Sequence, residues 1–242
     1  MIILSIDTSQ SASVALVDTA SGAVLAVEQA DDQRRHVEFI GPALLRVLAH
    51  EVQPELVVTG IGPGPFTGLR VGIAAGIAVS QARGIPVRGV LSQAALAEEF
   101  CRRSEGGGGP VLIAADARRK EVYFSVYEAS DASLKSGPFV AKPAEVADVL
   151  ADHGYRLEVP GAEAGQICDR VDITARIGRG FVLYDDVIGA SGHPELVDPR
   201  AEFLSFFAAR SIAAGEELGE PVPEYLREPD AKSAPVRKSH LK

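Results

Sequence analysis

Tryptophan is absent from this 242-residue chain, methionine occurs once and cysteine twice. Cys101 and Cys168 stand far apart, with no Cys-x-x-Cys pair and no histidine cluster beside them. That excludes a disulfide framework or a thiolate metal site and predicts two buried thiols. The five histidines, His36, His50, His153, His193 and His240, form neither His-x₃-His nor His-Glu-x-x-His, which argues against a metallohydrolase. No Gly-x-Ser-x-Gly nucleophile elbow occurs, and neither cysteine has a neighbouring base. No apolar run reaches the roughly 18 residues of a membrane span. The first residues enter a strand pattern without a basic leader, so a cytoplasmic protein is expected. Positive charge is scarce as well: 24 Lys plus Arg face 33 Asp plus Glu, a net charge of −9. Such a chain repels phosphate backbones, so contact with RNA would need help from a partner.

What is present is a globular composition, 46% hydrophobic and 24% charged, enough for one large domain or two small ones. Residues 2–6, 13–17 and 24–27 read as three antiparallel strands. Between 35 and 51, Val37, Ile40, Leu44, Val47 and Leu48 recur at helical spacing, with Pro42 predicted to kink the helix or mark its start. Residues 56–59 read as a buried strand, followed by a glycine-rich turn over 60–68 and a helix over 69–82 with Thr67 as its N-cap. A strand over 86–90 and a helix over 93–102 capped by Ser92 come next. Gly106 to Pro110 cannot continue a helix and reads as the linker between two lobes. Beyond it, strands are predicted over 111–115 and 122–127 and helices over 144–150 and 199–218. The last residues, with Lys232, Arg237, Lys238 and Lys242, read as an extended basic tail.

A strand ending in Asp, a short polar turn and an alternating strand occur twice, at Asp7 and at Asp116, which suggests a duplicated α/β core. Asp7-Thr8-Ser9 suits two readings: a turn that holds hydrated Mg²⁺ and faces a phosphate, or an Asx-turn in which Asp7 caps its own backbone. The second copy, with Ala117, Arg118 and Arg119 after Asp116, lacks the small or hydroxyl residues that close phosphate approach favours. The loop 60–70 lacks the Lys-Ser/Thr ending of a P-loop and reads as a rigid turn aiming a helix N-terminus, with anion binding left open. His36 and Glu38 before the first helix suit a capping arrangement.

Gly68, Gly72, Gly76, Ser80 and Gly84 recur every four residues, and no charge lies between Arg70 and Arg83. A helix apolar all round must be covered on every side. Its glycines cost roughly 1 kcal/mol each relative to alanine, so something packs very close, either the chain's own sheet or another subunit. Phe39 and Leu45 add apolar surface on further sides of the preceding helix.

In order and spacing, Ile6-Asp7-Thr8-Ser9, His36-Val37-Glu38, the loop from Gly60 to Arg70, Asp116-Ala117-Arg118 with Glu121-Val122-Tyr123, and Tyr225-Leu226-Arg227 resemble the bacterial TsaB (YeaZ) family. The resemblance spans most of the chain. It implies an α/β fold of two duplicated lobes with mixed sheets and flanking helices, of the actin-like ATPase, sugar kinase and Hsp70 (ribonuclease H-like) type. The N-terminal lobe is expected over 1–105 and the C-terminal lobe over 106–219, with the tail 220–242 packing back on the first. It also implies a subunit of the complex that attaches threonylcarbamoyl to the adenosine next to the anticodon of tRNAs reading codons that begin with A.

In that complex a larger paralogue, TsaD, holds the metal and performs the transfer, and TsaE is an ATPase. By resemblance this chain is a non-catalytic scaffold that reaches tRNA only through the complex, touches no membrane and forms a homodimer in isolation. ATP and Mg²⁺ serve the complex, with no cofactor held tightly by this subunit. The family pairs through its two N-terminal-lobe helices, which assigns partner binding to Val37, Ile40, Leu44, Val47, Leu48, Leu69, Gly72, Ile73, Gly76 and Val79. Asp7, Thr8 and Ser9 become a vestigial phosphate site. Pro65 and Val37 stand where the family commonly has serine, which weakens a ligand role for those side chains. The rival readings are a Mg-dependent ATPase or small-molecule kinase using Asp7 and Thr8, and a metallopeptidase-like hydrolase.

Overall fold

The computed structural model describes residues 1–30, 36–104, 107–161 and 169–227. Strands β1 (Ile2–Asp7), β2 (Ser13–Asp18) and β3 (Ala23–Gln29) form an antiparallel meander. Strands β4 (Leu56–Gly60) and β5 (Val87–Val90) add in parallel on the other side of β1, giving the order β3-β2-β1-β4-β5. Helix α1 (His36–Val47) links β3 to β4 and helix α2 (Phe66–Arg83) links β4 to β5. Side chains alternate across a strand, so Leu4 and Ile6 join Val14, Leu16, Ile40 and Val47 in a core beneath α1 and α2. Ile3 and Val58 point to the opposite face and a second core.

Helix α3 (Gln93–Arg103) leads into the second sheet, built from β6 (Pro110–Asp116), β7 (Val122–Glu128) and β8 (Leu134–Ala141). A 3₁₀ turn (Pro143–Glu145) precedes α4 (Val146–Asp152). The two-residue strands β9 (Tyr155–Arg156) and β10 (Val171–Asp172) pair in parallel with each other. Strand β11 (Ala175–Ile177) runs parallel to β6 and is followed by α5 (Arg179–Leu183), α6 (Asp185–Ile188) and α7 (Ala201–Ala213). The order β8-β7-β6-β11 repeats β3-β2-β1-β4 with the same strand directions, so the duplication read from two short motifs extends to whole sheets.

Helix α7 packs on β1 and β2 of the first sheet although it follows the second in sequence. The sheet is shaped for it: the Ser5 hydroxyl donates to the Ala201 carbonyl at 2.5 Å, and Ser13 Oγ accepts the Ala201 amide at 3.1 Å. Ser13 thereby serves the helix N-terminus that Arg200, without a side-chain cap bond, leaves open. Two α3 carboxylates, Glu98 and Glu99, lie between α3 and α7. Glu98 is held by Arg102 and Arg210, and Glu99 by Arg103 and Arg200. Both are buried, and burial pushes the Glu99 carboxyl up against the pull of Arg200 and Arg103.

Several local expectations shift. Pro42 lies inside α1 rather than at its start, at an exposed position of the helix. Helix α2 starts before Thr67, with Pro65 in extended conformation at the N-cap position. Ser92 does stand at the N-cap of α3, but its hydroxyl accepts the Gly62 amide at 3.0 Å instead of capping. Strand β8 had no signal in the sequence. The helix expected over 199–218 is shorter, ending at Ala213. Cys101 is only half-buried and donates to the Ser130 carbonyl at 3.3 Å. Cys168, part of the glycine run and the basic residues of the tail lie outside the described residues. Among the described residues no helix is long and apolar enough to cross a membrane.

Candidate functional site

The turn after β1 carries Asp7, Thr8 and Ser9, all of them buried. Asp7 Oδ1 accepts the Ser9 amide at 2.9 Å and the Ser9 hydroxyl at 2.7 Å, which is the Asx-turn geometry. Asp7 Oδ2 has no well-formed hydrogen bond among the described residues and lies against Gly60 beside the Ser92 hydroxyl. Burial raises the Asp7 carboxyl above the ordinary carboxylate range, with the Ser92 and Ser9 hydroxyls pulling the other way. A Cβ on Gly60 would overlap Oδ2, and one on Gly64 would come within 2.8 Å of the Ser9 carbonyl. The glycine-rich loop thus closes over the turn, and the three side chains have no open face for a hydrated cation or a phosphate. Among the described residues no group of three or more His, Cys, Asp or Glu is placed to hold a metal ion.

Thr8 explains the glycine row of α2. Its hydroxyl donates to the Gly68 carbonyl at 2.7 Å and accepts the Gly72 amide at 3.1 Å. A Cβ on Gly72 would overlap that hydroxyl, and one on Gly76 would overlap the Thr59 methyl. The row therefore faces the chain's own sheet. Reading Gly72 and Gly76 as partner contacts is corrected accordingly, and Ile40, Val47, Leu69 and Ile73 are likewise buried in the chain's own core.

What stays open is the outer surface of the helix pair. Val37 is 70% and Leu45 76% exposed on α1, and Ala74 and Ala78 are exposed on α2. Leu44, Leu48, Val71, Ala75 and Val79 are half-buried along the same pair. The expected contact residues thus divide: Val37, Leu44, Leu48 and Val79 reach the surface and the others do not. Leu45 had been legible only as surplus apolar surface, and Ala74 and Ala78 were masked by their small size.

The second Asp turn faces the first. Gln10 Nε2 donates to the Asp116 carbonyl at 3.0 Å, and Asp116 Oδ1 accepts the Arg118 amide at 2.8 Å, just as Asp7 accepts Ser9. Arg118, Arg119 and Lys120 all take left-handed φ, between 53° and 62°, a conformation that costs a side-chain-bearing residue roughly 1–2 kcal/mol. Bonds from Ala117 to Glu121 and from Glu121 to Arg118, both 3.0 Å, hold the turn. His36, rather than capping with Glu38, donates Nε2–H to the Gln10 carbonyl at 2.9 Å.

The segment from Gly219 to Arg227 straps the two lobes together. Gly89 donates to the Gly219 carbonyl and Glu224 to the Ile61 carbonyl, each at 2.8 Å. Tyr225 packs on Phe66 with ring centroids 4.5 Å apart and accepts Arg70 Nε at 2.8 Å. Arg227 pairs with Glu121 and donates to the Ala117 carbonyl at 3.0 Å.

A family model described as "TsaD: tRNA N6-adenosine threonylcarbamoyltransferase" matches residues 27–180. An uncharacterized protein of Mycobacterium leprae is 38% identical over 168 residues, which cover 66% of this chain and 43% of that protein. The match thus spans less than half of that relative's length. The Escherichia coli "tRNA threonylcarbamoyladenosine biosynthesis protein TsaB" is 29% identical over 211 residues, covering 80% of this chain and 81% of its own. Among solved structures, YeaZ from Pseudomonas aeruginosa superposes with a TM-score of 0.66 at 25% identity, covering 93% of this chain and all of that one, 100%. Two lobes of one strand order, meeting at paired Asp-ended turns, define the ribonuclease H-like class of actin-like ATPases and sugar kinases. Within it the chain belongs to the family that model describes, on its TsaB (YeaZ) branch.

Proposed function

We propose that the chain serves in the formation of N6-threonylcarbamoyladenosine on tRNA as a non-catalytic subunit that binds TsaD through the outer surface of α1 and α2. The name of the Escherichia coli relative supports the pathway. The observation that carries the binding role is the apolar outer surface itself, with Val37 and Leu45 largely exposed beside Ala74 and Ala78. Isolated apolar side chains on a surface are ordinary, whereas a contiguous stripe along two adjacent helices marks an interaction site. The same surface is proposed to form a homodimer when TsaD is absent, and TsaE joins the assembly without a site assigned on this chain. Transfer chemistry, ATP and Mg²⁺ belong in this reading to the complex, tRNA is reached through it, and the complex works in the cytoplasm.

The enclosed Asp7-Thr8-Ser9 turn supports a scaffold over a Mg-dependent kinase, because none of the three presents an atom to a cleft. The test is co-elution with TsaD and tRNA modification in the reconstituted system, using Val37→Asp together with Leu45→Asp. Both positions are exposed, so the fold should persist while complex formation and modification fall together. Undiminished co-elution would reject the surface. Modification retained in the complete absence of this subunit would reject the role.

A further inference from the structure

The turn from Arg118 to Lys120 is costly both in backbone conformation and in charge. Its three consecutive left-handed residues, at φ 59°, 53° and 62°, all carry long cationic side chains, and all are exposed. A turn that only had to join β6 to β7 would use glycine or asparagine there, which take left-handed φ at little cost. Here the conformation is held from outside. Arg227 grips both ends of the turn, donating to the Ala117 carbonyl at 3.0 Å and pairing with Glu121, while its guanidinium lies over the Tyr123 ring, 5.5 Å from the centroid. A fourth cation is thereby pressed against the other three: burial first, and then the charge of Arg119, lower the Arg227 guanidinium below its ordinary value. Strained residues persist where surrounding contacts over-determine them, and they gather at clamps and binding sites. In this turn strain and like-charge repulsion are borne together.

Charge at this end runs against the trend of the chain. With Arg227, the segment from Asp116 to Glu121 carries four cations and two acids, in a protein whose net charge is −9. The sequence after Arg227 adds Lys232, Arg237, Lys238 and Lys242 against Glu228 and Asp230. The turn also lies at the margin of the helix-pair surface, because Arg118 lines a cavity of about 190 Å³ together with His36, Val37, Thr67 and Val71. We propose that this clamped turn is a contact for the phosphate backbone of RNA, made by the chain itself while the complex holds its tRNA. The contact goes beyond the function proposed above, and takes from it only the choice of RNA as the polyanion.

The probe is an RNA hairpin built as a tRNA anticodon arm, titrated into the full chain at low salt, where the net negative charge opposes binding least by counterion release. Amide shifts and the anisotropy of the labelled hairpin are followed together. Shifts should gather at Ala117 to Glu121 and at Arg227, and affinity should fall as salt rises. Arg119→Gly with Lys120→Gly removes two charges at positions whose backbone suits glycine better. It should raise the urea midpoint while weakening the RNA about tenfold and flattening the salt dependence by about one contact per charge. Arg119→Lys with Lys120→Arg keeps the charges and should keep the affinity. Four results overturn the assignment: no shifts in the turn, RNA affinity unchanged in the double Gly variant, a double Gly variant that loses stability along with RNA, or equal binding of poly-glutamate, which would turn this face towards an acidic protein. Because the titration uses this chain alone, failure to co-elute with TsaD rejects the helix-pair surface and leaves the RNA contact standing.

Discussion

Thr8 holds Gly72: its hydroxyl accepts the Gly72 amide at 3.1 Å while donating to the Gly68 carbonyl at 2.7 Å. One side chain from the first hairpin thus serves both backbone groups of a single turn of α2. The close approach fixes the helix against the sheet, and it is the reason the glycine row exists.

Gly76 makes the same dependence measurable. A methyl there would gain about 1 kcal/mol of helix propensity but overlap the Thr59 methyl. Overpacking of this kind typically costs about 1–3 kcal/mol, so Gly76→Ala should lower stability in urea titrations. Thr59→Ser removes the methyl and keeps the hydroxyl that donates to the Arg88 carbonyl. In combination it should recover most of the loss, whereas strictly additive losses would show that the sheet does not set the row.

Asp7 predicts a pH dependence. Its folded value lies above the ordinary 3.8 because burial disfavours the carboxylate. The folded chain therefore keeps a proton that the unfolded chain releases. The stability this contributes is complete below 3.8 and is lost as pH rises through the folded value. Asp7→Asn cannot ionise, so its stability relative to the parent should rise from pH 4 towards pH 8, as read from urea midpoints. Parallel profiles for the two proteins would count against a buried, protonated Asp7.

Ala74 and Ala78 test self-association apart from TsaD. Both are exposed, so Ala74→Glu with Ala78→Glu should leave stability within about 0.5 kcal/mol per site. Light scattering should show the parent gaining mass with concentration and the variant remaining a monomer. A parent that stays monomeric at high concentration would remove the homodimer.

Gly89 sits under the strap, and a Cβ there would overlap the Glu220 carbonyl. Gly89→Ala should lift the segment from Gly219 to Arg227. Amide exchange should then quicken at Glu224, which now donates to Ile61, while β6 and β7 keep their protection. Unchanged exchange at Glu224 would mean that the strap is held mainly by Tyr225 and Arg227.

The local patterns that showed in the sequence were those of period and punctuation: the Asp-ended hairpins, the α1 stripe and the loop that launches α2. Contacts between distant segments left weaker traces. The glycine row announced close packing without saying against what, and only Thr8 and Thr59 supply the answer. The burial of Glu98 and Glu99 left no trace because their arginines include Arg200 and Arg210, about a hundred residues on. Strand β8, with Gly137-Pro138 in its middle, breaks the alternation that marks a strand.

Helix α7 ties the order of synthesis to the completeness of the first sheet. Ala15 and Val17 are covered by Ala201 and Phe206, so a nascent chain that has emerged only as far as the glycine run carries a bare greasy underside. The first sheet cannot finish folding on the ribosome until α7 has followed the entire second sheet out, and through that interval its uncovered face is open to adhesion between nascent chains.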